Sequence, residues 1–161
     1  MMNLFSFSLT RRQCVLVGAA ASLLAAGPAW AASLPAPQSL PEALAAALKK
    51  GSPLVVMVSL VGCPFCIIAQ DHYLAPLQGQ SGLSIVQIDM RNRQLVQDFN
   101  GVSQTQDELI RRWGIKVAPT VLFFGRGGVA VAERMVGGYI PDFYGTYLDD
   151  RLRTARAAVA R

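Results

Sequence analysis

Residues 54–74 read LVVMVSLVGCPFCIIAQDHYL, and this stretch decides the fold because a strand and a helix meet in it at a pair of cysteines. Its first eight residues are almost all apolar, which predicts a strand buried on both faces. The eight residues after Cys66 are predicted to be helical. Cys63 and Cys66 therefore belong to a strand-to-helix turn.

The chemistry that this placement favours is dithiol–disulfide exchange. The start of a helix presents unpaired backbone N–H groups and the positive end of the helix dipole, and both stabilise a thiolate. Because the thiolate is the attacking species, Cys63 is the predicted nucleophile. Cys66, on the first helical turn, is the predicted resolving thiol, which displaces a mixed disulfide and releases the partner.

The first residues of the chain have the pattern of a secretory signal peptide. Arg11-Arg12 form its charged region, thirteen mostly apolar residues follow at 14–26, and Ala29-Trp30-Ala31 fits an A-x-A cleavage site. The apolar stretch is shorter than the roughly 20 residues that a membrane anchor requires. We therefore predict that residues 1–31 are a signal peptide cleaved near Ala31 and that the mature protein is periplasmic.

Residues 10–15 also fit a twin-arginine export signal in part. Cys14 stands where a large apolar residue is usual, whereas the Ala- and Gly-rich stretch that follows suits such signals. The twin-arginine route and the ordinary secretory route both stay open. Cleavage leaves 130 of the 161 residues, with residues 32–52 as a lead-in segment and N-terminal helix and residues 53–161 as the main domain.

Removal of Cys14 leaves Cys63 and Cys66 as the only cysteine pair. A disulfide between residues three positions apart closes too short a loop to stabilise a fold of this size, which favours a redox pair. One such pair supplies two of the four ligands of a zinc site, so no metal is expected. Haem attachment requires a histidine where Ile67 stands, and the single histidine, His72, is expected to be a surface or packing residue.

The net charge of +5 falls to +3 without Arg11 and Arg12, with 13 basic residues against 10 acidic ones. This mild excess does not indicate nucleic-acid binding. One group of basic residues lies on or beside the last helix, where a solvated helix face is expected and a docking surface for an acidic partner is the alternative. The group consists of Arg151, Arg153, Arg156 and Arg161.

The remaining segments predict a strand–helix–strand–helix–strand–strand–helix order behind an N-terminal helix at residues 42–50. Strands are predicted at 54–61, 83–89, 117–124 and 129–136, and helices from the cysteines to 76–82, at 105–113 and at 141–159. Thr105 and Glu108 have the form of a capping box, and residues 125–128 that of a hairpin turn. Residues 91–104 are predicted to be irregular, with room for a short helical turn. This order implies two parallel strands joined by a right-handed crossover, followed by an antiparallel hairpin.

Two separated motifs resemble the thioredoxin-fold family. The first is Cys63-Pro64-Phe65-Cys66 after the first strand, and the second is residues 114–120, GIKVAPT, in which Pro119 stands where the family has a cis-proline loop facing the cysteines. The resemblance covers residues 53–153. It implies an α/β fold with a central mixed four-stranded sheet flanked by helices, to which this chain adds the N-terminal helix, and it makes residues 53–161 a thioredoxin-like domain.

The same resemblance implies roles for particular residues. Ala118–Pro119 would be a cis bond packed near the cysteines, and the backbone at Val117-Ala118 would pair with an extended substrate segment. Pro64 and Phe65, between the cysteines, would adjust the redox potential. Residues 138–148, GYIPDFYGTYL, are similar to small exported bacterial thioredoxin-like proteins, some of them tied to sulfur-oxidation systems.

The sequence departs from the thioredoxins at the site itself. Met57 stands where those proteins bury an acid as a proton relay, so the proton of Cys66 must leave by water or another group. Pro64-Phe65 replaces Gly-Pro, and Gly62 replaces the tryptophan before the first cysteine. Strongly oxidising relatives place a histidine between the cysteines, and Phe65 gives the thiolate no such stabilisation. We therefore expect a potential of roughly −200 to −270 mV.

The expected function is that of a periplasmic thiol:disulfide oxidoreductase, a reductase of disulfides in exported client proteins. It needs no cofactor other than the redox-active Cys63–Cys66 disulfide. A disulfide oxidase or isomerase is the alternative among enzymes, and a non-catalytic binding or chaperone module is the alternative outside them. The expected partners are exported proteins with disulfides and a membrane electron donor, with no nucleic acid or metal, and the protein is expected to be a monomer.

Overall fold

The computed structural model describes residues 33–138 and 141–161, so the signal peptide predicted for residues 1–31 lies outside the described residues. In chain order the elements are α1 (Leu40–Lys49), β1 (Leu54–Ser59), α2 (Pro64–Ile68), a π-helical segment (Ala69–Leu74), α3 (Ala75–Ser81), β2 (Ser84–Asp89), β3 (Leu95–Gln97), β4 (Ser103–Thr105), α4 (Gln106–Arg112), β5 (Thr120–Phe124), a 3-10 turn (Arg126–Gly128), β6 (Met135–Val136) and α5 (Pro141–Val159).

Four of the strands form one mixed sheet in the order β2-β1-β5-β6. β1 pairs in parallel with β2 and antiparallel with β5, and β5 pairs antiparallel with β6. All six residues of β1 are buried, as expected for a central strand covered on both faces. The predicted α/β fold with a mixed four-stranded sheet and an N-terminal helix is confirmed.

Helices cover both faces of the sheet, and the alternation of side chains along β1 divides the core in two. Val55 and Met57 point to the face covered by the cysteine helix and α5. Val56 and Val58 point to the face covered by α1 and α4. The first cluster includes Val55, Met57, Cys66, Leu74, Ile85, Phe123, Tyr144, Leu148 and Leu152. The second includes Leu40, Leu44, Val56, Val58, Ile88, Leu109 and Ile110.

The helix that carries the cysteines runs from Pro64 to Ser81 and changes its winding on the way. The π-helical segment Ala69–Leu74 lies just before Pro76. A proline inside a regular α-helix lacks the N–H for the next hydrogen bond, and its ring clashes with the preceding turn. The wider winding accommodates Pro76, and the helix ends at Gly82, which has the left-handed conformation that favours glycine.

Two segments differ from the prediction. Residues 91–104, predicted to be irregular, contain a ribbon in which β3 and β4 pair antiparallel. The fourth strand, predicted at 129–136, is reduced to Met135–Val136, with an isolated bridge between Ala130 and Phe124. The hairpin turn at Gly125 is confirmed by the hydrogen bond from its N–H to the Val129 carbonyl at 2.9 Å.

The boundaries of the other helices follow local capping. α1 begins two residues earlier than predicted because the Ser39 side chain caps it, accepting a hydrogen bond from the Glu42 N–H. Pro41 is tolerated in the first turn, where its missing N–H would have no partner in any case. The capping box of Thr105 and Glu108 at the start of α4 is present as predicted.

Candidate active site

Cys63 is the N-cap residue of α2 and has extended backbone angles, φ −84° and ψ 112°. Its sulfur accepts a hydrogen bond from the Cys66 backbone N–H at 3.2 Å. The side chain is half-buried, so it remains accessible from solvent. The helix start therefore supplies the Cys63 sulfur with a donor and the positive dipole end, both of which stabilise a thiolate.

Cys66 is in the opposite situation, since only 4% of it is exposed. Burial raises the pKa of the Cys66 thiol to about 12, and the hydrogen bond and charge of Cys63 and the charge of Asp89 act in the same direction. A backbone hydrogen bond from Leu60 opposes these effects. Cys66 is thus protonated and inaccessible at neutral pH, which matches the behaviour required of a resolving thiol.

The loop before β5 faces the cysteines. Its Ala118–Pro119 peptide bond is cis, as the resemblance implied. The Ala118 carbonyl oxygen lies 3.8 Å from the Cys63 sulfur. Two hydrogen bonds fix the loop: Thr120 Oγ1 donates to the Val117 carbonyl at 2.7 Å, and the Gly137 N–H donates to the Pro119 carbonyl at 2.7 Å. Val117 is exposed and Pro119 is buried, so the loop presents backbone beside Cys63 on a rigid base.

Gly138 packs against both motifs. A Cβ atom built at Gly138 would lie 3.2 Å from the Phe65 Cβ and 3.5 Å from the Pro119 Cγ. The backbone of Gly138 therefore fits closely against the cysteine motif and the proline loop at the same time.

Several exposed apolar side chains lie on the segments that carry the site. Pro64 is exposed at the first position of α2, and Phe65 beside it is half exposed. The larger exposed apolar residues on these segments are Val61, Phe65, Ile67, Ile68 and Val117. An apolar surface around a reactive thiol suits contact with a protein segment rather than with a small charged molecule.

Below the cysteines, the sheet face carries a polar cluster that sequence reasoning missed. Ser59 is buried at the end of β1, and its Oγ accepts a hydrogen bond from Gln87 Nε2 at 3.0 Å. The same Oγ lies within donating distance of Asp89 Oδ2, at 3.3 Å. The period-two alternation of β1 and β2 is the sequence signal that could have placed these residues beside Met57.

The described residues do not gather a metal site, because residues 33–138 and 141–161 contain no group of three or more His, Cys, Asp or Glu side chains suited to an ion. His72 is exposed on the π-helical segment. Within the same ranges, no helix has both the length and the apolar character needed to cross a membrane.

The fold and the dithiol at the start of α2 define a thioredoxin-fold protein of the oxidoreductase type. The family model described as the thioredoxin-like domain matches residues 40–151, and the chain belongs to this family. No curated protein sequence matches the chain significantly.

The chain is similar to several solved structures at low sequence identity. The structure titled "DsbH Oxidoreductase" is 22% identical with a TM-score of 0.51, covering 76% of this chain and 88% of that one. A poplar thioredoxin h, PtTrxh4, is 20% identical with a TM-score of 0.49, covering 68% and 85%. Mitochondrial thioredoxin 3 from Saccharomyces cerevisiae is 16% identical with a TM-score of 0.48, covering 74% and 93%.

Proposed function

We propose that this chain is a periplasmic thiol:disulfide oxidoreductase that reduces disulfides in exported client proteins. The observation that carries the proposal is the contrast between its two thiols. The Cys63 sulfur is accessible and accepts an N–H donor at a helix start, whereas Cys66 is buried with a raised pKa. Cys63 is therefore arranged to attack the client disulfide, and Cys66 to resolve the mixed disulfide afterwards. Disulfide exchange requires these two separate roles.

The reaction has two steps in which electrons pass from the dithiol to the client. The Cys63 thiolate attacks one sulfur of the client disulfide, a mixed disulfide forms, and the first client thiolate leaves. Cys66 then loses its proton and attacks the Cys63 sulfur, so that the Cys63–Cys66 disulfide forms and the second client thiolate leaves. The client gains two electrons and two protons, and the chain loses two thiol hydrogens. No cofactor takes part beyond this cysteine pair.

The loop at Val117 and Ala118 is the proposed docking site for the client backbone. The exposed Val117 and the Ala118 carbonyl 3.8 Å from the Cys63 sulfur support this role. An extended client segment that lies along the loop would bring its disulfide to Cys63. The exposed Phe65 and Ile67 would add apolar contacts with the client.

The proposed direction is reduction, because nothing between the cysteines stabilises the reduced form strongly. The Phe65 side chain carries neither a charge nor a hydrogen-bond donor, unlike the histidine of strong oxidants. This favours a reductase over the alternative of a disulfide oxidase or isomerase. The reaction also requires a source of electrons, which we propose to be a membrane protein with its own thiols, and the export pattern in residues 11–31 supports periplasmic placement.

Turnover of insulin disulfides with dithiothreitol as electron source tests the activity. The wild-type protein is expected to accelerate precipitation of the insulin B chain, and Cys63→Ser to abolish the acceleration. Equal rates for wild type and Cys63→Ser would favour a non-catalytic binding or chaperone module. Clients are identified with Cys66→Ser expressed with its own signal peptide, which should retain mixed disulfides in the periplasm, whereas the double variant with Cys63→Ser should retain none.

A further inference from the structure

The segment that pairs with β5 carries a bulge. Between the Val121–Met135 pair and the Phe124–Ala130 bridge, β5 has two residues and the opposite segment has four, at 131–134. A bulge of this kind interrupts the ladder of hydrogen bonds and bends the strand. The predicted fourth strand is therefore discontinuous at this point, and the two chains are separated beside β5.

A cleft of about 390 Å³ opens at the bulge. This volume is within the range of small-molecule sites, about 300–1,000 Å³. The lining is mostly apolar and comes from β5, from the bulge and from the residue that ends α4. Its residues include Trp113, Leu122, Phe124, Ala130, Ala132 and Arg134.

Aromatic rings form one wall of the cleft. Leu122 and Phe124 are buried and lie two residues apart on β5, so they share one face of the sheet. The half-buried Trp113 packs on Phe124 with the ring centroids 5.4 Å apart. Phe99 also packs on Phe124, with the centroids 4.6 Å apart, so the rings hold one another in place. The exposed part of Trp113 offers a flat apolar surface.

The two charged residues of the bulge contact different elements. Glu133 Oε2 lies 2.6 Å from Arg151 Nη2 on α5, so the charge of this glutamate is paired. Arg134 Nη1 donates to the Trp113 carbonyl at 3.2 Å, which brings the guanidinium to the aromatic wall. Arg134 has no acidic partner among residues 33–138 and 141–161. The cleft therefore has a positive charge at its rim.

The Arg134 guanidinium has donors to spare. It carries five N–H groups, and its hydrogen bond to Trp113 uses one nitrogen. A carboxylate is the group that a guanidinium binds best, since two parallel N–H donors match its two oxygens. Trp113 is also the C-cap of α4, so Arg134 caps that helix. Capping alone requires no apolar cleft beside the guanidinium, whereas an apolar molecule with a carboxylate uses both features.

We propose that this cleft binds a small carboxylate with an aromatic or alkyl body. The carboxylate pairs with Arg134, and the body packs against Trp113 and Phe124. Phe124 belongs to the core cluster on the α1 and α4 face of the sheet, whereas Cys66 belongs to the cluster on the opposite face. Binding at the cleft is therefore independent of the dithiol, and the inference goes beyond the proposed function.

The emission of Trp113 supplies the readout. The chain has two tryptophans, and the other, Trp30, lies in the predicted signal peptide. The exported, processed protein is therefore expected to retain Trp113 alone. The probe is 4-phenylbutyrate at neutral pH. It should change the Trp113 emission with a dissociation constant on the order of 0.1–1 mM, as expected for a ligand of this size.

The charge of the probe and the charge of Arg134 are varied together. The neutral analogue 4-phenylbutanol should bind the wild-type protein about tenfold more weakly, because it lacks the carboxylate. Arg134→Met should weaken 4-phenylbutyrate about tenfold and leave 4-phenylbutanol within about twofold of wild type. Arg134→Lys should restore part of the loss. Ala130→Leu, which adds apolar atoms to the lining of the cleft, should weaken both probes.

Arg126→Met is the matched control. Arg126 Nη2 donates to the Val159 carbonyl at 3.4 Å, so this arginine also contacts a carbonyl at a helix end, but it does not line the cleft. The variant should bind 4-phenylbutyrate within about twofold of wild type, because the charge that pairs with the carboxylate is retained. Cys63→Ser should bind the probe as the wild-type protein does.

Each outcome bears on the cleft separately from the dithiol. A wild-type dissociation constant above about 10 mM, equal affinities for the two probes, or an unchanged affinity in Arg134→Met would overturn the inference. Equal weakening by Arg126→Met would also overturn it, because the attraction would then be to positive charge in general. If Arg134→Met does not reach the native fold, the two probes on the wild-type protein decide. Absence of insulin reduction with probe binding intact would contradict the proposed function alone.

Discussion

The sulfur of Cys63 lies 3.8 Å from the carbonyl oxygen of Ala118, a residue 55 positions later in the chain. This contact joins the start of the cysteine helix to the loop before β5, and Gly138 closes the arrangement by packing against Phe65 and Pro119. The site is thus assembled from three distant segments.

The redox potential tests the role of Phe65. We expect the wild-type Cys63–Cys66 couple at roughly −200 to −270 mV. Phe65→His should raise the potential by about 30 mV or more, because a donor or cation beside Cys63 stabilises the thiolate and hence the reduced form. Equilibration with glutathione buffers measures both values. Phe65→Leu, which adds no donor, should stay close to wild type, and a wild-type potential of about −120 mV would contradict the reductase assignment.

Substitution at Gly138 tests the close packing between the two motifs. A methyl group there would approach the Phe65 Cβ to 3.2 Å, and neither backbone can move without disturbing the site. Gly138→Ala should lower the free energy of unfolding by about 1–3 kcal/mol. It should also lower insulin-reduction activity. Urea denaturation and turnover assays measure the two effects.

Gly79 provides the matched control. It lies inside α3, and a Cβ atom there would meet nothing within 4 Å. Gly79→Ala should raise the free energy of unfolding by about 0.5–1 kcal/mol, because alanine loses less conformational freedom in a helix. If both variants shift stability in the same direction, Gly138 is not closely packed as described.

The pH dependence of stability tests the burial of Cys66. Folding raises the pKa of this thiol from 9.0 to about 12, so the folded state holds the proton more tightly than the unfolded state. The contribution of Cys66 to the free energy of unfolding is fully present below pH 9 and is lost as the pH rises towards 12. In this window the slope reaches about −1.4 kcal/mol per pH unit for one group.

Urea titrations of the reduced protein between pH 8 and pH 10.5 measure this loss. The free energy of unfolding should fall more steeply with pH in the wild-type protein than in Cys66→Ala. Tyr144, whose pKa is raised from 10.0 to about 12, adds a decrease that both proteins share. Parallel curves for the two proteins would show that Cys66 is not the buried titrating group.

Local sequence signals account for much of this fold. The apolar run at residues 54–61, the capping box at Thr105 and the glycine at 82 each act within a few residues, and the structure has the expected element at each place. The short ribbon of β3 and β4 could not be predicted in the same way. Three-residue strands are too short to show an alternating pattern, and Val96 is the only fully buried apolar residue in β3.

The last strand, β6, shows a second limit of prediction from the sequence. Residues 129–136 have the composition of a strand, but two glycines with positive φ, Gly127 and Gly128, direct the chain into a 3-10 turn. After an isolated bridge between Ala130 and Phe124, the chain pairs with β5 as a regular strand at Met135 and Val136. Pairing of this kind depends on the geometry of the turn, which composition does not specify.

The residues of the candidate site also differ in whether a local sequence signal identifies them. Cys63, Cys66 and Pro119 could be identified because each has a local or family signal. For Ser59, Gln87 and Asp89, the alternation along each strand indicates only the sheet face on which each residue lies, and the register between β1 and β2 is what brings the three together. The three look like ordinary polar residues at the ends of two strands.

Alkylation of the reduced native protein tests the central claim most directly. After a short pulse of iodoacetamide at pH 7, peptide mass mapping measures how much of Cys63 and Cys66 is modified. The half-buried, donor-stabilised Cys63 should be modified at least about tenfold faster than the buried Cys66, since only an accessible thiolate reacts. In urea the two should react equally. Equal or faster modification of Cys66 in the native protein would contradict its assignment as the resolving thiol.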